Sequence, residues 1–148
     1  MKRFVIALWI LGAASSLAAD QPIVRLPQNG QRVVGGPDND LCPSAEKPCR
    51  EVYAEGSVPD DRIGIFAVEP LKGNGTIYIQ PFTPDVFGGD VSQTVYLGRL
   101  DVGARERFRI YLLGCKSGHG LEIGQETTLE KVRSVCNWSR PVTVYRVK

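Results

Sequence analysis

The chain has 148 residues, 43% of them hydrophobic and 23% charged, with 18 Lys+Arg against 16 Asp+Glu and a formal charge of +2. That is the composition and length of one globular domain. Both cations in excess, Lys2 and Arg3, lie in the first 19 residues, so residues 20–148 balance at net zero. A neutral domain lacks the basic field that polyanion binding draws on, and nucleic acid is not expected as a partner.

The chain opens MKRFVIALWILGAASSLAAD. Two cations, a short apolar run and a stretch of small residues form the three-part layout of a secretory signal peptide over residues 1–19. The apolar run is too short to span a bilayer, which needs roughly 20 residues. Asp20 stands where a bacterial lipoprotein would carry its lipidated cysteine, so no stable membrane anchor is expected. The processed chain is expected to be periplasmic or secreted. Residues 20–50 are rich in Pro, Gly and Asn and read as a loosely packed N-terminal arm, with one strand near Ile23 or Val33. Asp38-Asn39-Asp40 hints at calcium but lacks the later ligand positions and the distal glutamate of an EF-hand loop.

From residue 51 onward, period-2 apolar runs recur between turn residues, the signature of strands. Residues 51–58 form the first, ended by a turn at Pro59-Asp60-Asp61. Residues 63–68 (IGIFAV) are almost wholly apolar, which predicts a central strand covered on both faces. PLKGNG is turn chemistry, TIYIQ alternates, and Pro81 and Pro84 break the segment after it. QTVYL, after a turn at Gly88-Gly89-Asp90, and ERFRIYLL, after Asp101-Val102-Gly103, are the next strands. VTVYRV closes the series. Thr127-Thr128-Leu129-Glu130 carries a capping-box pattern, followed by Leu129, Val132 and Val135 on one side, which predicts a short helix before the last strand. Counting the strand near Ile23 or Val33, these elements add up to about seven strands of an all-β antiparallel sandwich, whose domain is placed over residues 51–148.

Four cysteines, Cys42, Cys49, Cys115 and Cys136, allow three pairings, and spacing alone does not select one. Chain stiffness favours Cys42 with Cys49, across PSAEKP, and Cys115 with Cys136. In an exported chain an even count points to disulfides. Zinc is disfavoured because there is no C-x-x-C pair and His119 is the sole histidine, so neither metal nor cofactor is expected. Trp138, beside Cys136, is expected to pack on the disulfide.

The runs EGSVPDDRIGIFAVEP, TIYIQPF, VYLGRLDVGARERFRIYLL and VTVYRV together resemble bacterial exported immunoglobulin-like domains. Such domains have a strand ending Gly-x-Val-Pro, a strand ending near a proline, and a V-x-L-G strand. The likeness covers about residues 51–148, and in place of the tryptophan common before V-x-L-G this chain has Gly89-Asp90-Val91-Ser92. It implies an immunoglobulin-like β-sandwich that binds, spaces or presents; a fold of this kind fixes no activity.

Two stretches carry candidate chemistry. GCKSGHGLEIGQ holds His119, yet it fits neither the dinucleotide nor the phosphate-loop glycine pattern. Gly118 and Gly120 are expected to supply positive φ, with His119 exposed at a loop tip. The alternative is a small periplasmic hydrolase or ligand-binding domain in which His119 and Glu122 meet the Asp60-Asp61 turn. In the second stretch Arg105, Arg107 and Arg109 alternate with Glu106, Phe108 and Ile110, and Phe108, Ile110 and Leu112 are expected to face the core. A strand there buries the apolar set and presents a row of guanidiniums, which could grip carboxylates or pair with acids across strands. The leading expectation is a non-enzymatic domain that binds another extracytoplasmic protein, by its loops or its arginine face. Asn74 and Asn137 head N-x-[ST] triplets that matter only where the host glycosylates.

Overall fold

The computed structural model describes residues 21–44, 49–98 and 105–147. The expected signal segment and the turn at Asp101-Val102-Gly103 lie outside the described residues. In chain order the elements are β1 (Ile23–Leu26), β2 (Gln31–Val33), β3 (Glu51–Pro70), β4 (Ile77–Ile79), β5 (Phe87–Tyr96), β6 (Arg107–Cys115), β7 (Glu126–Thr127), α1 (Leu129–Val132), β8 (Cys136–Trp138) and β9 (Val142–Arg146).

The all-β expectation holds, with corrections. Among the described residues nine strands, not about seven, form one continuous sheet, and it is mixed because β2 runs parallel to β9. The residues expected to form a loose arm supply β1 and β2, and Val33 of β2 is buried. The expected turn at Pro59-Asp60-Asp61 does not end a strand: β3 runs 20 residues straight through it. Residues 59–62 stand opposite Gly88 alone, between the pairs Val58–Gly89 and Ile63–Phe87. Extra residues on one strand bend it, and here the bend folds the sheet over. Gly88 takes φ +70°, and a β-carbon there would lie 2.6 Å from the Asp60 Cα, so the crossing admits only glycine. The expected turn at Gly88-Gly89-Asp90 is accordingly strand, the start of β5.

The bend gives β3 two roles. Its first half pairs with β5 on one side and β1 on the other. Its second half pairs with β6 and β4, and β6 continues to β9 and β8. Val52, Ala54 and Val95 from the first half meet Phe66, Phe108, Ile110 and Leu112 from the second in one buried core. The apolar alternation expected for 106–113 is therefore seen, with Phe108, Ile110 and Leu112 all 0% exposed.

The opposite face of the second half is covered by a second core. Ile63, Ile65 and Ala67 pack there with Ile77, Ile79, Leu113 and Val132. Ile63 and residues 65–68 are thus buried between two cores, as their apolar run requires. α1 is a single turn, capped one residue later than expected: the Thr128 hydroxyl accepts from the Lys131 N–H, while Thr127 belongs to β7. Its Val132 plugs the second core, with Leu129 and Val135 at the edge.

Disulfides join Cys42 to Cys49 and Cys115 to Cys136, the pairing that chain stiffness favours. Cys115 and Cys136 are cross-strand partners of β6 and β8 inside the second core, where Trp138 also packs. Two such bonds suit an oxidising, extracytoplasmic environment. Among the described residues, no helix is long and apolar enough to cross a membrane.

Candidate functional site

The arginines of the 105–109 stretch part company. Arg105 lies outside β6 at φ +81°, its N–H donating to the Arg146 carbonyl, so it is not in the row expected of it. Arg109 faces Glu69 across β3, Nη1 to Oε2 3.7 Å, which is the cross-strand pairing with an acid. The same carboxylate accepts from the Tyr111 hydroxyl at 2.8 Å. Burial, then that hydrogen bond to Glu69, pushes the Tyr111 phenol up to about 12.

Arg107 has a different setting. Tyr145 of β9 is its register partner, and Tyr145 is in turn the partner of Arg32 on β2. Residues directly opposite one another in a ladder share a face. Arg32, Tyr145 and Arg107 therefore form a row across three neighbouring strands. Strand spacing near 4.8 Å sets the two arginine Cα atoms about 10 Å apart. The row lines a cleft of about 410 Å³ together with Asn29, Gly30 and Thr143. Among the described residues, no carboxylate lines it. Both arginines are exposed, and neither has an ion pair among the described residues.

No protein-family model, curated protein or solved structure matches this chain. The reading of the site rests on its own chemistry.

Why the cleft lies here follows from alternation. On β6 the odd residues 111, 113 and 115 point into the second core, and α1 and the loops around it cover that end of the face. Arg107 and Arg109 lie on the same face beyond this cover. On β9, Val144 is buried in the first core, which turns Thr143 and Tyr145 outward beside them. Arg32 was not singled out by the sequence. The signal was available in Gln31-Arg32-Val33, because burying Val33 in a strand turns Arg32 to the opposite face.

His119 is not the exposed loop tip that its glycines suggest. Gly118 and Gly120 do take φ +71° and +72°. They fold the loop so that the imidazole is half-buried, edge-on to Phe82 at 5.5 Å between centroids. Nδ1 accepts from the Leu121 N–H at 2.9 Å, which fixes the neutral Nε2–H tautomer. Burial draws the pKa below its usual value, with the Asp85 charge opposing. Glu122 is exposed, and its backbone N–H is taken by the Gln125 side chain. Asp60 and Asp61 sit in the β3 bend, where Asp61 lies 3.7 Å from Arg62. His119 hydrogen-bonds to neither carboxylates nor hydroxyls among the described residues, so a triad-like arrangement is not assembled.

Metal chemistry has no seat among the described residues either: no group of three or more His, Cys, Asp or Glu could hold an ion. In Asp38-Asn39-Asp40 the asparagine is spent on the turn, donating to the Val34 carbonyl and accepting from the Leu41 N–H. Of the two N-x-[ST] asparagines, Asn74 is in an exposed turn and Asn137 is half-buried on β8.

Arg146 was missed altogether. It is 0% exposed, donating from Nε to the Cys49 carbonyl at 2.8 Å and from Nη1 to the Leu97 carbonyl at 3.2 Å. One guanidinium thus joins the end of β9 to the first disulfide and to the end of β5, supporting the strand that carries Tyr145.

Proposed function

We propose that this chain is an exported, non-enzymatic domain, periplasmic or secreted, that binds another extracytoplasmic protein through the face bearing Arg32, Tyr145 and Arg107. The single observation that carries the reading is the pair of exposed guanidiniums that, among the described residues, form no ion pair and share a cleft lined by no carboxylate. An arginine that does not stabilise its own fold by pairing remains available for bidentate contacts to a partner's acids. The three strands beneath it are paired in one ladder, and Arg146 ties β9 to the Cys49 carbonyl, which lowers the ordering cost of association.

The layer plan supports an immunoglobulin-like reading of the fold. On that reading β1, the first half of β3 and β5 would correspond to strands A, B and E, and the second half of β3, β4, β6 and β9 to C, C′, F and G, with B and C joined in the one strand β3.

The test is capture of partners from the native compartment on immobilised processed chain, at low and high salt. Wild type should retain a partner at low salt and release it at high salt, and R32A/R107A should retain none. Retention by R32A/R107A equal to wild type would refute the assignment of this face.

A further inference from the structure

The polar groups that line the cleft can be counted by what they still have to offer. Arg32 and Arg107 are donors only. The Asn29 Oδ1 already accepts from the Thr143 N–H at 2.8 Å, which leaves the NH₂ as the wholly uncommitted group of this side chain. The Thr143 carbonyl is likewise taken, by the Gly30 N–H at 2.7 Å. Only the hydroxyls of Thr143 and Tyr145 could act either way, and both can donate. A cleft whose uncommitted side-chain groups can all donate, two of them as cations, suits an acceptor-rich ligand, which means an anion.

Size and surroundings narrow the anion. About 410 Å³ is much more room than one inorganic ion fills. The guanidiniums rise from Cα atoms about 10 Å apart, and a small inward lean brings them to the roughly 7 Å that separates alternate side chains of an extended peptide. On its other side Arg32 borders a second cleft, of about 420 Å³, lined by Asp38, Asp40 and Glu51. Those carboxylates would repel a long polyanion and confine negative charge to a short footprint. We infer that the Arg32–Tyr145–Arg107 cleft binds a short, extended acidic peptide segment, with two carboxylates two residues apart gripped by the two guanidiniums. This inference rests on the protein-binding reading above and names the chemistry of the partner's contact.

The experiment uses the full processed chain and a fluorescein-labelled peptide containing Glu-Ser-Glu, followed by anisotropy at low salt. Expected is saturable binding, weakened tenfold or more by R32Q and by R107Q singly, because each loses a charge-assisted contact. R105Q removes the same charge outside the cleft and should bind as wild type does. A Gln-Ser-Gln peptide should not bind, and neither inorganic phosphate nor a single-stranded oligonucleotide should displace the acidic peptide. No binding of the Glu-Ser-Glu peptide, equal binding by R32Q and R107Q, or tighter binding of the oligonucleotide would overturn the inference. Because all three substitutions are at exposed positions, coincident thermal unfolding curves verify that they fold. If the peptide fails while salt- and arginine-dependent capture of a partner persists, the ligand assignment falls and the protein-binding reading stands. Peptide binding without any captured partner reverses this: the protein-binding reading falls and the ligand assignment stands.

Discussion

Replacing Arg146 by methionine is the sharpest test of how the two halves are joined. Methionine keeps an unbranched apolar stem in a site that is 0% exposed, so packing is largely preserved and the guanidinium alone is removed. Two carbonyls, Cys49 and Leu97, then lose their donors. An unsatisfied buried acceptor costs about 1–3 kcal/mol, so the pair costs roughly 2–6. Part of that is offset, because the guanidinium is itself desolvated; burial lowers its pKa, and Glu106 only partly opposes the effect. A net loss of about 3 kcal/mol is expected, a substantial share of the roughly 5–15 kcal/mol of a typical domain. At this chain length about 3–5 °C per kcal/mol converts it to a Tm drop of about 9–15 °C. Urea unfolding at pH 7 measures it directly, and Arg146→Lys should recover less than half, since an ammonium lacks the fork that reaches both carbonyls. A loss for Arg146→Met under about 1 kcal/mol with an unchanged urea slope would refute the reasoning.

Gly56→Ala should destabilise by about 1–3 kcal/mol in the same urea assay, because its β-carbon would run into the Ile23 carbonyl and approach the Leu112 Cδ2 to 2.6 Å. The double change Cys115→Ser, Cys136→Ser opens a loop of 21 residues' separation and should cost about 3 kcal/mol, seen as a lower urea midpoint than the untreated protein. For His119 the sign is fixed by a folded pKa held below the usual 6.5. The unfolded chain takes up the proton first, so stability is intact above about pH 6.5 and declines as pH falls towards the folded pKa. An NMR titration should place the imidazole midpoint below 6.5, and His119→Ala should remove that part of the acid-side decline in Tm. A midpoint above 6.5 would contradict the Leu121 N–H contact.

Strand positions were legible because they depend on local alternation. IGIFAV, TIYIQ, ERFRIYLL and VTVYRV each became strand where period 2 placed them. The two turns that failed, Pro59-Asp60-Asp61 and Gly88-Gly89-Asp90, are one feature seen from two strands. Proline, aspartate and glycine mark a turn locally, yet here the residues cross at a bulge that only pairing of β3 with β5 could create. Arg146 was also readable in part: Val142, Val144 and Arg146 share a strand face. A charged residue on a core face is normally assigned to solvent, however, and the carbonyls that accept it come from positions 49 and 97.

The cleft divides in the same way. The sequence could place Arg107 and Arg109 on one side of a strand, but not show that Arg109 meets Glu69 while Arg107, without an ion pair among the described residues, lies beside Tyr145 in a row with Arg32. By itself the sequence determined the all-β class, the strand faces, and a cysteine pairing favoured by chain stiffness, since all of these follow from short-range periodicity and stiffness. Only the tertiary structure decided the single folded sheet, the parallel pairing of β2 with β9, and which arginines are neutralised. Those outcomes depend on partners from tens of residues to more than a hundred residues apart in the chain, and alternation within one strand does not encode which strand will lie beside it.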